Sequence, residues 1–237
     1  LIERNRQEPI FPLSLYRRGS FSAAIVIGIA FNFAWAVVQL QTSNFWQLVQ
    51  HYGTSQVALA QLPLVGSAAV GAVLAGRLLR PGRRTSPLVA AGMVLLVLGL
   101  MLLALVRAES SYSSIVAAMV LCGVGLGVLS VPQAVLFVQD APPRSLGSVT
   151  AFRTTTGQLG FTLGAASLGK HLHTLGSTNG LESQLREALR AGGISHDSVT
   201  PTGIAELREA FASGLSHTMT VAAVLVALFG AISLLLL

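Results

Sequence analysis

Six apolar runs, each about twenty residues or more and none with an Asp or Glu in its middle, occupy most of this 237-residue chain. They lie at about 20–42, 56–79, 87–106, 113–139, 147–169 and 214–237. A hydrocarbon layer about 30 Å thick is crossed by about 20 helical residues, so each run has the length of one crossing. Lipid offers the backbone no hydrogen-bond partners, which leaves helices and closed barrels as the spanning structures. Barrel strands would alternate apolar and polar residues, and these runs do not. The sequence therefore predicts an all-α fold, a polytopic transmembrane helix bundle of six spans. The composition agrees. Charged residues make up 10% of the chain, against about 25% in soluble domains. With a mean hydropathy of +0.69, too little polar surface remains to cover a water-soluble globule.

The formal charge of +6 does not point to nucleic acid. Fourteen of the fifteen basic residues are Arg, the other being Lys170, and most stand in short clusters between apolar runs rather than along a phosphate-tracking stripe. Arg4, Arg6, Arg17 and Arg18 precede the first span, Arg77, Arg80, Arg83 and Arg84 follow the second, and Arg144 follows the fourth. The loop after the first span has no basic residue, and the loop after the third has only Arg107. The positive-inside rule then predicts a multi-pass protein of the inner or plasma membrane, with both termini of this segment cytoplasmic. Residues 1–19 form a cytoplasmic leader, and 20–169 hold the first five helices. The chain opens on Leu1 without Met and stops inside an apolar run, so a piece of a longer protein is expected.

Segment 170–213 is too long to be a plain connection. Leu181, Leu185 and Leu189 recur at four-residue spacing, with Glu182 four residues before Arg186. After Gly192-Gly193 and Pro201, a second stripe of Ile204, Leu207, Phe211 and Leu215 leads into the last helix, 214–237. This predicts an amphipathic helical hairpin on the outer surface, either a regulatory cap or a passive cover.

Polar groups inside a span are costly unless they are paired or face water. In the first span Asn32, Trp35 and Gln39 fall on one face, which either lines a cavity or makes interhelical hydrogen bonds around an aromatic packer. The fifth span is the most polar, carrying Thr154, Thr155, Thr156, Gln158 and Thr162 beside Arg153. Arg153 either snorkels to the headgroups or binds a partner inside the membrane. Asn32, Trp35, Gln39, Arg153, Thr156 and Gln158 form the candidate substrate cavity. Pro132 and Gln133 in the fourth span suggest a bend used in gating.

Gly123, Gly125 and Gly127 in the fourth span, and Gly157, Gly160 and Gly164 in the fifth, have no strand before them and no Lys-Ser/Thr after them, so they do not read as phosphate loops. They are assigned to close helix packing. The single cysteine, Cys122, excludes an internal disulfide and a cysteine-rich metal site. All five His residues fall on the expected outer side, and no metal site or cofactor is expected. No constellation of acid, base and nucleophile is present, which speaks against an enzyme.

The junction Gly76-Arg77-Leu78-Leu79-Arg80-Pro81-Gly82-Arg83-Arg84 resembles the cytoplasmic signature of the major facilitator superfamily, Gly-x-Leu-x-Asp-Arg-x-Gly-Arg-Arg, without its Asp. The leader Glu3-Arg4-Asn5-Arg6 with Leu13-Ser14-Leu15-Tyr16-Arg17-Arg18 is similar to the segment entering the last six helices of the fourteen-helix drug:proton antiporters. The stretch from Ala141 through Gly157-Gln158-Leu159-Gly160-Phe161-Thr162-Leu163-Gly164-Ala165 is similar to their penultimate helix.

The resemblance implies the C-terminal six-helix half of such an antiporter. Its partners would be the N-terminal helices of the same protein, the bilayer and a small, amphipathic, cationic substrate, with the proton gradient as energy source. It also implies that the first, second, fourth and fifth spans carry cavity and gate residues. Gly76, Arg77, Arg80, Gly82, Arg83 and Arg84 would form the cytoplasmic gate. Some members that export cations carry acidic residues in the second and fifth of these spans; this chain has none there. The alternatives are a facilitator for one metabolite and a non-transporting interaction or sensor module.

Overall fold

The computed structural model describes residues 18–79, 84–107, 109–139, 141–176 and 201–237. Among these there are helices and connecting turns but no strand. Helix α1 spans Gly19–Asn44 and widens into a π-helical turn at Phe45–Val49. A short α2 (Thr54–Ala60) leads through Gln61 into α3 (Leu62–Leu78), with Pro63 in the first turn, where its missing N–H costs nothing. Then come α4 (Ser86–Ala104), α5 (Tyr112–Val138), α6 (Leu146–Gly176) and α7 (Pro201–Leu236). Helix α5 continues through Pro132. The second stripe of the expected hairpin is the start of α7 itself, with Phe211 and Leu215 buried. The stretch 177–200, which holds the first stripe, lies outside the described residues.

Five helical segments are long and apolar enough to cross a membrane: Gly19–Gln47, Thr54–Leu78, Ser86–Ala104, Tyr112–Val138 and Phe211–Leu236. The sequence reading of six spans differs at α6. That helix is long enough, but its Thr, Gln, Gly and Arg residues hold its hydropathy below that of the other spans.

Helices α1, α5, α4 and α7 form a ring: α1 packs on α7 and α5, and α4 on α5 and α7. Helix α3 lies against α5, and α6 lies along α1. The core is built from Phe21, Ile27, Leu96, Leu100, Leu103, Met119, Leu126, Phe137, Met219 and Val226, all almost fully buried. On α3 the side away from α5 is exposed and apolar, with Leu62, Val65, Val70, Val73 and Leu74, a surface suited to lipid or another apolar face.

Glycine sets how closely the flanking helices approach. A methyl on Gly123 would run into Ser67 Oγ and the Leu64 carbonyl, and one on Gly127 into the Ala68 carbonyl, so α5 meets the backbone of α3 directly. A methyl on Gly160 would lie 2.5 Å from the Ile29 carbonyl and one on Gly164 2.6 Å from that of Phe33. Gly125 does the same toward α4, 2.6 Å from the Leu96 nitrogen. Such contact increases van der Waals attraction between helices where water gives no hydrophobic drive. Gly76 differs, since a methyl there would meet nothing within 4 Å. Gly76→Ala is therefore expected to cost nothing and, through helix propensity, to stabilise by up to about 1 kcal/mol, read as an equal or slightly raised thermal midpoint in detergent.

Candidate functional site

Both ends of the bundle are marked by their side chains. The arginine-bearing end has Arg18 before α1, Arg77 in the last turn of α3, Arg84 before α4 and Arg144 before α6. Arg77, Arg84 and Arg144 are exposed there. Arg80, Gly82 and Arg83 of the expected gate motif lie outside the described residues.

The opposite end is closed by aromatic rings. Trp46 in the π-helical turn is fully buried, stacked on Tyr52 with centroids 5.3 Å apart and 5.3 Å from the ring of Tyr112. Beside this end, Gln61 ties the α2–α3 junction to α1. Its Nε2 donates to Thr42 Oγ1 and Ser43 Oγ, both at 2.9 Å, and to the Gln39 carbonyl at 3.2 Å. Gln61→Leu would remove these contacts and is expected to cost about 1–3 kcal/mol, measurable as a lowered thermal midpoint.

Between these ends, α1, α5 and α6 bring together a polar site in the half of the bundle nearer the arginine-bearing end. Gln133 of α5 is buried, and its Oε1 accepts a hydrogen bond from Arg153 Nη2 of α6 at 3.1 Å. Its amide fits because α1 has a glycine opposite: a methyl on Gly28 would lie 2.6 Å from Gln133 Nε2. One turn further along α1, Asn32 donates from Nδ2 to the Gly28 carbonyl at 2.8 Å. A methyl on Gly157 of α6 would sit 2.9 Å from that same Nδ2. Two glycines thus make room for two amides, and the amides fill the seam between three helices. Phe21 flanks it, edge-on to Phe137 of α5 at 5.4 Å and stacked with Phe152 of α6 at 6.1 Å.

The candidate cavity residues do not all converge. Asn32 and Arg153 belong to this seam. Trp35 is half-buried and stacks on Phe31, 6.2 Å away on the same helix. Gln39 stands at the aromatic end, its carbonyl taken by Gln61. Thr156 is buried, and its hydroxyl donates within α6 to the Phe152 and Arg153 carbonyls. Gln158 is exposed on the side of α6 that also carries Thr154, Thr155 and Thr162, whose hydroxyls donate to carbonyls four residues back. Those internal bonds let a threonine-rich helix present its hydroxyls without orphan donors.

Sequence reasoning underrated Gln133, noticed only as the residue after Pro132, and passed over Gln61 altogether. The signal was a lone amide in an otherwise apolar span. Among the described residues no cluster of three or more metal-ligating side chains is present.

This geometry, a helical bundle with amides and a guanidinium in an interhelical seam, coincides with a match of residues 2–165 to the Major Facilitator Superfamily. The chain belongs to that superfamily. It is 30% identical over 172 residues to the multidrug resistance protein Stp of Mycobacterium tuberculosis, an alignment covering 72% of this chain and 32% of the relative. It is 28% identical over 169 residues to the tetracenomycin C resistance and export protein of Streptomyces glaucescens, covering 71% of this chain and 31% of the relative. Against the probable actinorhodin transporter of Streptomyces coelicolor the identity is 25% over 173 residues, covering 70% and 29%. The matched region thus spans about a third of the length of these relatives. Superfamily members are multi-pass transport proteins, and the apolar helices here suit that setting.

Proposed function

We propose that the chain is the C-terminal bundle of a secondary active transporter that exports drug-like or antibiotic molecules in exchange for protons. The reading rests on superfamily membership together with relatives named for multidrug and tetracenomycin resistance. The polar seam between α1, α5 and α6 supports it, because buried amides and a guanidinium in a membrane bundle mark substrate pathways. In this scheme a second bundle, contributed by N-terminal helices of the same protein, rocks against this one around a central site. The apolar outer side of α3 and the threonine-bearing side of α6 supply surface for it. No span of this chain carries an Asp or Glu, so the proton-binding carboxylate would belong to the other bundle. The cytoplasmic membrane of a bacterium is the proposed location, with the arginine-bearing end inward.

The test is efflux from drug-sensitive cells expressing the complete reading frame that contains these residues. From a panel of preloaded antibiotics and dyes that spans acidic, neutral and cationic compounds, some should leave faster than from cells with an empty vector. Collapse of the pH gradient should abolish the difference. Efflux that persists without a pH gradient would remove proton coupling, and no efflux of any compound would remove the exporter reading.

A further inference from the structure

Neither the five spans nor α6 contains a negative charge, yet α6 holds a positive one in Arg153. The nine acidic residues all lie outside 9–108, 110–139, 141–181 and 210–237. Arg153 stands seven residues beyond the start of α6, about 10 Å along its axis. A guanidinium at such a depth usually runs along its helix toward the headgroups or meets a carboxylate. Arg153 instead reaches sideways to Gln133 Oε1. That acceptor is well fixed, since Gln133 is 2% exposed and its amide is seated over Gly28. One amide oxygen occupies one of the five N–H groups of a guanidinium. Among the described residues Gln133 is the hydrogen-bond partner of this side chain, and Arg153 remains partly exposed.

We infer that Arg153 is a specificity-determining residue whose remaining N–H groups receive the acidic group of an amphipathic organic acid, a carboxylate or an acidic phenol. Gln133 orients the guanidinium, and the planar fork matches the two oxygens of a carboxylate. The favoured substrates of this bundle are then acids rather than cations. A cation would meet a like charge and no carboxylate on these helices. The inference rests on the transporter reading and names the substrate class for its site.

The test uses the complete protein, purified in detergent, and titration calorimetry with pyrenebutyrate, its primary amide and a pyrenebutyl trimethylammonium salt. The acid should bind about tenfold or more tighter than the amide, and the cation weakest. In R153Q the acid should lose its advantage over the amide, and in R153K it should keep part of it. Equal affinities for acid and amide, no binding of the acid, or a preference that survives R153Q would each overturn the inference. A carboxylate from elsewhere in the complete protein that neutralises Arg153 would give the first of these results. Export measured separately on the neutral amide keeps the two readings apart. Proton-driven export without acid preference sinks this inference alone, whereas acid preference without export of any probe sinks the transporter reading.

Discussion

Gly127→Leu is expected to detach α3 from α5 and to prevent recovery of a monodisperse, folded protein. A single methyl at Gly127 would already run into the Ala68 carbonyl and come within 2.8 Å of the Ala72 nitrogen, and one at Gly123 would meet the Leu64 carbonyl. These three obstacles are backbone, which cannot turn aside as a side chain would. Overpacking of this kind costs about 1–3 kcal/mol for modest insertions. A leucine demands several ångströms more, so the two helices must separate along the length they share. Gly127→Ala should show the smaller loss as a lowered thermal midpoint, and Gly76→Ala, in open space, should show none. A Gly127→Leu protein that elutes and melts like the parent would mean that this contact does not hold α3 in place.

The second large effect concerns the seam. Gln133→Leu keeps the volume close to native but removes the acceptor of Arg153, leaving a guanidinium between helices without its partner. Hydrogen bonds to charged groups contribute about 1.5–3 kcal/mol, and an orphaned charge costs at least as much. Gln133→Leu should therefore destabilise by about 2–3 kcal/mol. Arg153→Met added to it should restore much of the loss, because removing both partners of a partly buried polar contact is milder than removing one. A double-mutant cycle measured by thermal unfolding gives the coupling directly. If the double variant is as unstable as the sum of the single ones, the Arg153–Gln133 contact carries no coupling. Gly28→Ala is a third probe from the opposite helix, since its methyl would displace the Gln133 amide.

The helical architecture was legible because lipid leaves few alternatives. Each of the six apolar runs is helical, although α6 continues to Gly176 and α7 begins at Pro201, thirteen residues before the start read from the sequence, and the division between arginine-rich and arginine-poor loops falls at opposite ends of the bundle. Helical spacing put Asn32, Trp35 and Gln39 on one face of α1, and in the structure Gly157 of α6 lies against Asn32. It could not show that Gln39, seven residues later on the same face, would instead meet Gln61 at the aromatic end. Periodicity orders residues around one helix and is silent on which neighbour each face meets. Gln133 was undervalued for the same reason: its importance comes from Gly28 and Arg153, which lie 105 residues before it and 20 after it. Thr156 reads as a cavity residue by its polarity, and in the structure its hydroxyl donates to carbonyls of its own helix. Polarity alone does not distinguish a hydroxyl offered to a ligand from one that serves the backbone.

The polar character of α6 has a consequence for how the protein is made. Membrane insertion through a translocon charges about 2.5–3.5 kcal/mol for an arginine at mid-helix, and Leu, Ile, Phe or Val each return only about 0.3–0.6. Helix α6, with Arg153 and four threonines between positions 150 and 156, cannot recover that cost from its own sparse aliphatic residues. Its glycines make the compensating contacts with Ile29 and Phe33, and both belong to α1. The first helix of the bundle is thus the template on which the late-emerging α6 is retained in the bilayer. A lesion in α1 would be felt as a failure to integrate a segment synthesised more than a hundred residues later.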